Sequence, residues 1–479
     1  MNELPIDGRS AERGASSRRA APPSERAASR RASQLTALAV FLLTAAPRAR
    51  LAQLGIPIYA FDVVGVLAFL ANYPYPAQPT RAGSQTAGWT LALVVTIVAA
   101  QVHHVFMTDD VMRSTYMLLR YLSGMALAVA VFKSLRRPGG PPWVIGALMA
   151  GMCTTALLAL LASLPQTRGL IRPVFEISLL SPTAARSGES LGASLAGMRG
   201  TSLVGTSTLT GAFLAIGWPI AYVTLEATRD RGRWMRRVTT AAAFLIAAGA
   251  VATYSRGAVV ALAAAATVFA VIGTSRQRTA AFALVVAATM GWIVLPKDSD
   301  TLLLSRYGSR FGMLAEGIRN GGEFEEQNEM GRLLSWTEPV EWVASHPESL
   351  VLGYGNTRGK ATIKVGDAPD FHRHAVPAAA LYYFGGLGLL AFVGIVLSSL
   401  AAAIRTRPDP LEVRSQRAGI VAAFGAAGVW FVIGHAAIST ARGFALTMML
   451  VAMAHALHAR GQEGPSRAGP LDSPRTNDG

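Results

Sequence analysis

His372 and His374, separated by Arg373 and followed at once by a long apolar run, are the residues of this chain best suited to move a proton. A neutral imidazole titrates close to pH 7, so it can take the proton of a hydroxyl as that hydroxyl attacks. In extended backbone the two rings share a face and Arg373 points away; in a helix they diverge by about 200°. His-x-His is also a fragment of a metal site, though no third ligand lies near it in sequence, and a polar pair at an interface is the bland reading. His103 and His104 are adjacent, which in a helix sends them to different sides, so they read as interfacial residues. Asp298-Ser299-Asp300 has the form of a carboxylate pair that holds a metal against a nucleotide diphosphate, but without a strand pattern around it, it reads as a polar turn. Glu323, Glu325, Glu326 and Glu329 read as a solvated acidic run. Cys153, the single cysteine, allows no internal disulfide and reads as a small buried hydrophobe.

The elements that must carry these residues are membrane helices. Hydrophobic residues make up 51% of the 479 and charged residues 15%, which excludes a soluble enzyme, a disordered chain and a disulfide scaffold. The apolar residues fall in blocks of about 17–25, each long enough to cross a hydrocarbon core of roughly 30 Å. They lie near 34–47, 55–71, 86–102, 114–133, 142–164, 201–225, 238–254, 257–273, 279–296, 376–404, 418–436 and 442–458. The pattern predicts an all-α polytopic membrane protein of about 12 transmembrane helices, with transmembrane helices 1–9 within 34–296 and 10–12 within 376–458. Asp62 and Arg120 fall inside spans, where a charge is functional by default or half of a buried structural pair.

The net charge of +16 is mostly arginine, 40 of 44 basic residues, placed between apolar blocks. That is the pattern of membrane topology and anionic headgroups, so no nucleic-acid partner is expected. The terminal tails and the loops on their side hold 25 Lys/Arg, counting Lys133 at the edge of its span; the opposite short loops hold nine. Both termini are therefore expected in the cytoplasm. Residues 1–33 read as a disordered basic tail without a signal peptide, and 459–479 as a second cytoplasmic tail. Residues 297–375 form a loop of 79 residues on the outer face, carrying 12 of the 28 acids, with helical signals from Gly331 to Ala344. A long loop on one face of a bundle is where function is expected.

Within and after that loop, Gly331, Arg332, Trp336, Pro347, Gly353, Gly355, His374, Gly385, Gly386 and Gly388 resemble, in order and spacing, the signature of the O-antigen ligase and O-antigen polymerase superfamily. Ser255-Arg256-Gly257, at the outer end of a helix hairpin, resembles a second element of that family. Ala375 stands where polymerase-type members often have Asn. The resemblance implies a metal-independent GT-C type glycosyltransferase, with no cofactor, in a bacterial inner membrane. Its donor would be a polyprenyl-diphosphate-linked glycan, its acceptor a saccharide or lipid A–core. A diphosphate leaving group suits arginine, which stays charged and grips oxygens in pairs. On this reading Arg256 and Arg332 contact the diphosphate, Arg310, Arg373, Arg306 and Arg199 are held in reserve for the cradle, His374 is the base and His372 its support. His435 and Arg442 bracket the last outer turn and would line the acceptor path.

Two other classes stand beside it. A flippase for lipid-linked glycans would also need many spans, but inverted repeats are not evident and it has little use for the outer loop. A peptidoglycan-type polymerase would use a carboxylate base, with Glu338 or Glu341 as candidates. The topology is open to direct test: single cysteines at Ser275 and Ser349 should react with impermeant reagents from opposite sides of the membrane. Labelling of both from one side would overturn it.

Overall fold

The computed structural model describes residues 23–46, 50–54, 56–74, 81–108, 111–137, 139–164, 167, 202–203, 207–227, 232–253, 255–294, 340–341, 343–345, 347–355, 376–406, 411–433 and 440–463. A helix stands at each segment read as a span. In chain order these are α1 (Pro23–Ala45), α2 (Ala60–Asn72), α3 (Arg81–Thr108), α4 (Val111–Arg136), α5 (Gly140–Ser163), α6 (Ser207–Ala227), α7 (Arg233–Ala252), α8 (Arg256–Ile272) and α9 (Ser275–Val294). The short α10 (Pro347–Leu352) precedes α11 (Val376–Arg405), α12 (Leu411–Ile433) and α13 (Ala441–Glu463). The chain is thus a helical, multi-pass membrane protein. Among the described residues, six helices, those over Gly83–Phe106, Ser114–Arg136, Gly140–Ser163, Thr208–Ala227, Arg233–Ala252 and Val376–Arg405, are long and apolar enough to cross a bilayer, and Ala60–Asn72 and Gly257–Ile272 are shorter apolar helices. Large apolar side chains such as Leu91, Phe106, Phe244, Phe282 and Leu390 stand exposed on the rim, as lipid contact requires.

Two local features depart from the expectation. The all-α reading omits a hairpin: β1 (Arg50–Leu54) pairs antiparallel with β2 (Ile56–Tyr59), with Gln53 opposite Pro57 and Leu54 opposite Ile56. The second span therefore starts as a helix only at Ala60. Pro57 cannot donate within a helix interior, and β-branched Ile56 and Ile58 favour extended backbone. Helix α1 starts at Pro23, so residues 23–33, expected to be disordered, are helical. Pro23 has its φ preset for a first helical turn and Glu25 complements the positive end. Its packing explains the rest: Ala32 and Ser33 are buried, Arg30 lies 5.8 Å from the Trp143 ring, and Arg137 Nη1 donates to the Ser29 carbonyl at 3.4 Å.

One end of the bundle is closed by side-chain hydrogen bonds. At the end away from the hairpin, Asn72 Nδ2 donates to Thr36 Oγ1 at 3.0 Å and to the Ala68 carbonyl at 2.8 Å, while Ser134 Oγ lies 2.9 Å from Thr36 Oγ1 and 3.2 Å from Asn72 Oδ1. This ties α1, α2 and α4. The same end continues through Gln277 Nε2, which donates to Ser415 at 3.1 Å, and Glu226, which accepts from Thr274 Oγ1 at 2.8 Å and from Ser415 Oγ. Between the ends, α5 and α7 touch at Gly249, where any side chain would stand 2.6 Å from the Ala156 Cβ. Replacing Asn72 by Leu should remove its bonds to Thr36, Ser134 and the Ala68 carbonyl, at about 1–3 kcal/mol. The detergent-solubilised variant should unfold several degrees below wild type; an unchanged midpoint would refute the network's structural role.

Candidate active site

The site is built on a broken helix. Gly385 sits at φ 68°, ψ −174° inside α11, so the turn that should join Tyr382 and Tyr383 to residues 386 and 387 is not made. Their two carbonyls are taken by another segment. The Tyr354 N–H donates to the Tyr382 carbonyl at 2.8 Å and the Gly355 N–H to the Tyr383 carbonyl at 2.9 Å. The turn that delivers these donors needs glycine at both ends, since Gly353 and Gly355 have φ 70° and 73°. Contact is too close for side chains as well. A Cβ on Gly353 would stand 2.5 Å from the Phe384 nitrogen, and one on Gly385 would collide with the Val351 carbonyl. Gly353, Gly355 and Gly385 thus meet as a single lock between α10 and α11.

Aromatic rings and α3 hold the lock from the sides. The Tyr354 ring stacks on Tyr382, with centroids 5.6 Å apart and planes at 15°, and meets the His103 ring edge-on at 6.4 Å. A Cβ on Gly355 would stand 2.8 Å from the His104 Cβ and 2.9 Å from the Ala100 carbonyl, so the turn rests directly on the end of α3. His104 is buried, not interfacial, because this turn covers it. Gln101, also buried beneath the turn, has neither amide atom hydrogen-bonded. Deeper in, the fully buried Tyr121 ring packs edge-on against Phe384 at 5.4 Å and Phe444 at 5.0 Å. This joins α4, α11 and α13 at the level of the break.

Ser255 opens the other described element. It is the N-cap of α8, its hydroxyl accepting from the Ala258 N–H, and its own N–H donates to Thr253 Oγ1 at 3.4 Å. Arg256 is therefore the first residue of α8, directly after the turn from α7, at the positive end of the helix where an anion is favoured. Its side chain lies outside the described residues, as do Arg310, Arg332, His372, Arg373 and His374 entirely. Arg199, Arg306, Glu338 and His435 lie outside them too. Glu341 is described and exposed, and Arg442 is buried at the start of α13.

The backbone still constrains the segment with the histidines. The chain leaves the lock at Gly355, bonded to Tyr383, and returns at Val376, the first residue of α11. Seven helical residues separate those anchors, so they lie about 10 Å apart. His374 is two residues from the second anchor. Asp62 and Arg120, whose partners the sequence leaves open, pair with each other: Arg120 Nε lies 3.1 Å from Asp62 Oδ2. Tyr59, Tyr116, Ser123, Tyr354 and Gln101 were not foreseen as neighbours, since each is placed by a contact distant in sequence.

Residues 241–393 match the family model described as O-antigen ligase. No curated protein matches the chain. The matched segment runs from α7 through α8, α9 and the lock, and ends inside α11 just past the break. It contains Arg256, Arg310, Arg332, the His372–His374 pair and all three locking glycines.

Gly385→Ala should break the lock, because a non-glycine residue at this φ and ψ costs roughly 1–3 kcal/mol before the collision with α10 is counted. Limited proteolysis of the purified variant should cut between 340 and 376 much faster than wild type while the rest of the bundle stays protected. Equal cleavage rates would show that the turn does not depend on the break.

Proposed function

Taking residues 241–393 as an O-antigen ligase domain, we propose that the chain is a membrane glycosyltransferase that moves a glycan from an undecaprenyl-diphosphate-linked donor to a sugar hydroxyl. The acceptor is a saccharide or lipid A–core, and transfer occurs at the periplasmic face of the inner membrane. Both termini lie in the cytoplasm and twelve helices cross the bilayer, so the lock, the start of α8 and residues 297–375 share the outer face. The observation that carries the reading is the tethering of 356–375 between Gly355 and Val376, inside the matched segment that also holds the anion-favouring start of α8.

In this mechanism His374 accepts the acceptor hydroxyl's proton as its oxygen bonds to the anomeric carbon. The bond from that carbon to the diphosphate oxygen breaks, and polyprenyl diphosphate leaves with the electron pair. Arg256 and Arg332, with Arg310 and Arg373 beside them, meet the charge that develops on the leaving oxygens. His372 orients the acceptor. Fixed guanidinium groups supply what a divalent ion would otherwise bring, so the reaction runs without metal.

A reconstituted transfer assay with lipid-diphosphate donor tests this. His374→Ala should lose about 10²–10⁴-fold in rate, and wild type should keep its rate in EDTA. Arg256→Lys should also be strongly impaired, since an ammonium cannot grip two oxygens in one plane. Undiminished turnover by His374→Ala would remove it as the base; loss in EDTA with rescue by added metal would overturn the metal-free mechanism.

A further inference from the structure

A polar floor lies beneath the glycine turn. Gln101 is 2% exposed on α3, and neither its Oε1 nor its Nε2 has a hydrogen-bond partner. Two residues on, His103 Nε2 is buried without a hydrogen bond as well. So is Ser114 Oγ, in the first turn of α4, which starts at the end where α3 stops. The cover over this floor is the turn itself: a Cβ on Gly355 would stand 3.4 Å from Gln101 Oε1, and the Tyr354 ring meets the His103 ring edge-on. Burying an amide or a ring nitrogen without a partner is unfavourable, so these groups weigh against closure of the turn. Raising the turn gives up the two bonds to the Tyr382 and Tyr383 carbonyls, but it frees both ends of the Gln101 amide and His103 Nε2 to be bonded. Opening is therefore opposed far less than the two lock bonds alone would imply.

We infer that the turn Gly353–Gly355 is a lid over a subsite for sugar hydroxyls, and that Gln101 is the residue that binds them. The chemistry of the floor selects the class of ligand. An amide and a hydroxyl carry no charge, and each both donates and accepts, as every hydroxyl of a sugar does. A carboxamide spans two neighbouring ring hydroxyls, giving a hydrogen bond to one and taking one from the other. The rings of Tyr354 and His103 stand beside it, so the lining joins aromatic surface to a few polar groups, as in sites for small polar molecules. A phosphate would call instead for cationic donors in pairs. The inference rests on the glycosyltransferase reading, which brings a glycan to the lock. Gln101 lies on α3, outside residues 241–393, and so adds a positioning residue that the matched segment does not hold.

The test compares full-length wild type in detergent with Gln101→Met, which keeps the length of the side chain and removes the amide. The variant should unfold at the wild-type temperature or above it, and its cleavage between 340 and 376 should slow, because closure no longer buries an unpaired amide. Intrinsic fluorescence is then titrated with two probes, the core oligosaccharide and the O-polysaccharide, each released by mild acid from lipopolysaccharide of the host strain. Binding of the first assigns the floor to the acceptor and binding of the second to the donor glycan; either supports the subsite. Gln101→Met should weaken that binding about 10-fold or more, as loss of a pair of neutral hydrogen bonds does. In the transfer assay it should raise KM for the same glycan and leave kcat nearly unchanged. Binding of neither probe by wild type, or equal affinity in the variant, would leave only a buried water on the floor and overturn the subsite. A lowered unfolding temperature, undiminished cleavage or a fall in kcat alone would overturn it too, since each assigns the amide another role. Absence of transfer by wild type, with glycan binding present and lost in Gln101→Met, would sink the glycosyltransferase reading and leave the subsite standing.

Discussion

Two backbone hydrogen bonds, from Tyr354 and Gly355 to the carbonyls of Tyr382 and Tyr383, govern the arrangement of everything around them. A helix interrupted among apolar neighbours must find partners for the groups it frees, because an unpaired carbonyl there costs several kcal/mol. The chain meets that demand with its own turn. The break and the turn therefore require each other: without Gly385 there are no free carbonyls, and without Gly353 and Gly355 no chain can approach closely enough to use them. Tyr354 then has a fixed place against Tyr382 and His103, and α3 becomes the floor of the site.

The two ends of the bundle apply the same rule differently. Away from the hairpin, side-chain amides and hydroxyls of Asn72, Thr36, Ser134, Gln277 and Ser415 satisfy one another and join helices far apart in sequence. Near the hairpin the Gln101 amide and Arg120 Nη2 are buried without hydrogen-bond partners, as His455 Nδ1 is toward the other end. The family segment reaches the hairpin end at the α7–α8 turn and again at the lock.

Much of this was legible in the sequence, because membrane helices announce themselves by length and the locking glycines by order and spacing. Helix α8 starts at Arg256, within a residue of its expected start, and α11 starts at Val376 as read. What the sequence does not carry is pairing across distance. The role of Gly353 depends on a break more than thirty residues later, and nothing local distinguishes a turn glycine from one that seats on a helix. Asp62 and Arg120 were visible as charges out of place, but the rings of Tyr59 and Tyr116 that hold them were not. Arginine and serine density at the start of α1 reads as disorder, whereas Ala32 and Ser33 are buried by tertiary packing. The side chains with the most direct chemistry, at 372–374, lie outside the described residues, so their assignment rests on resemblance and on the two anchors.

The tether between Gly355 and Val376 also separates two properties that usually vary together. Loop-closure entropy grows only logarithmically, so doubling the twenty residues between the anchors costs about 0.6 kcal/mol. The bundle can therefore accept loops of very different length and composition at 356–371 at little thermodynamic cost. His374 stays two residues before the start of α11 in sequence whatever that length. The loop's shape can drift while the sequence position two residues before α11 stays put, which is the condition under which one membrane scaffold can be adapted to many different surfaces.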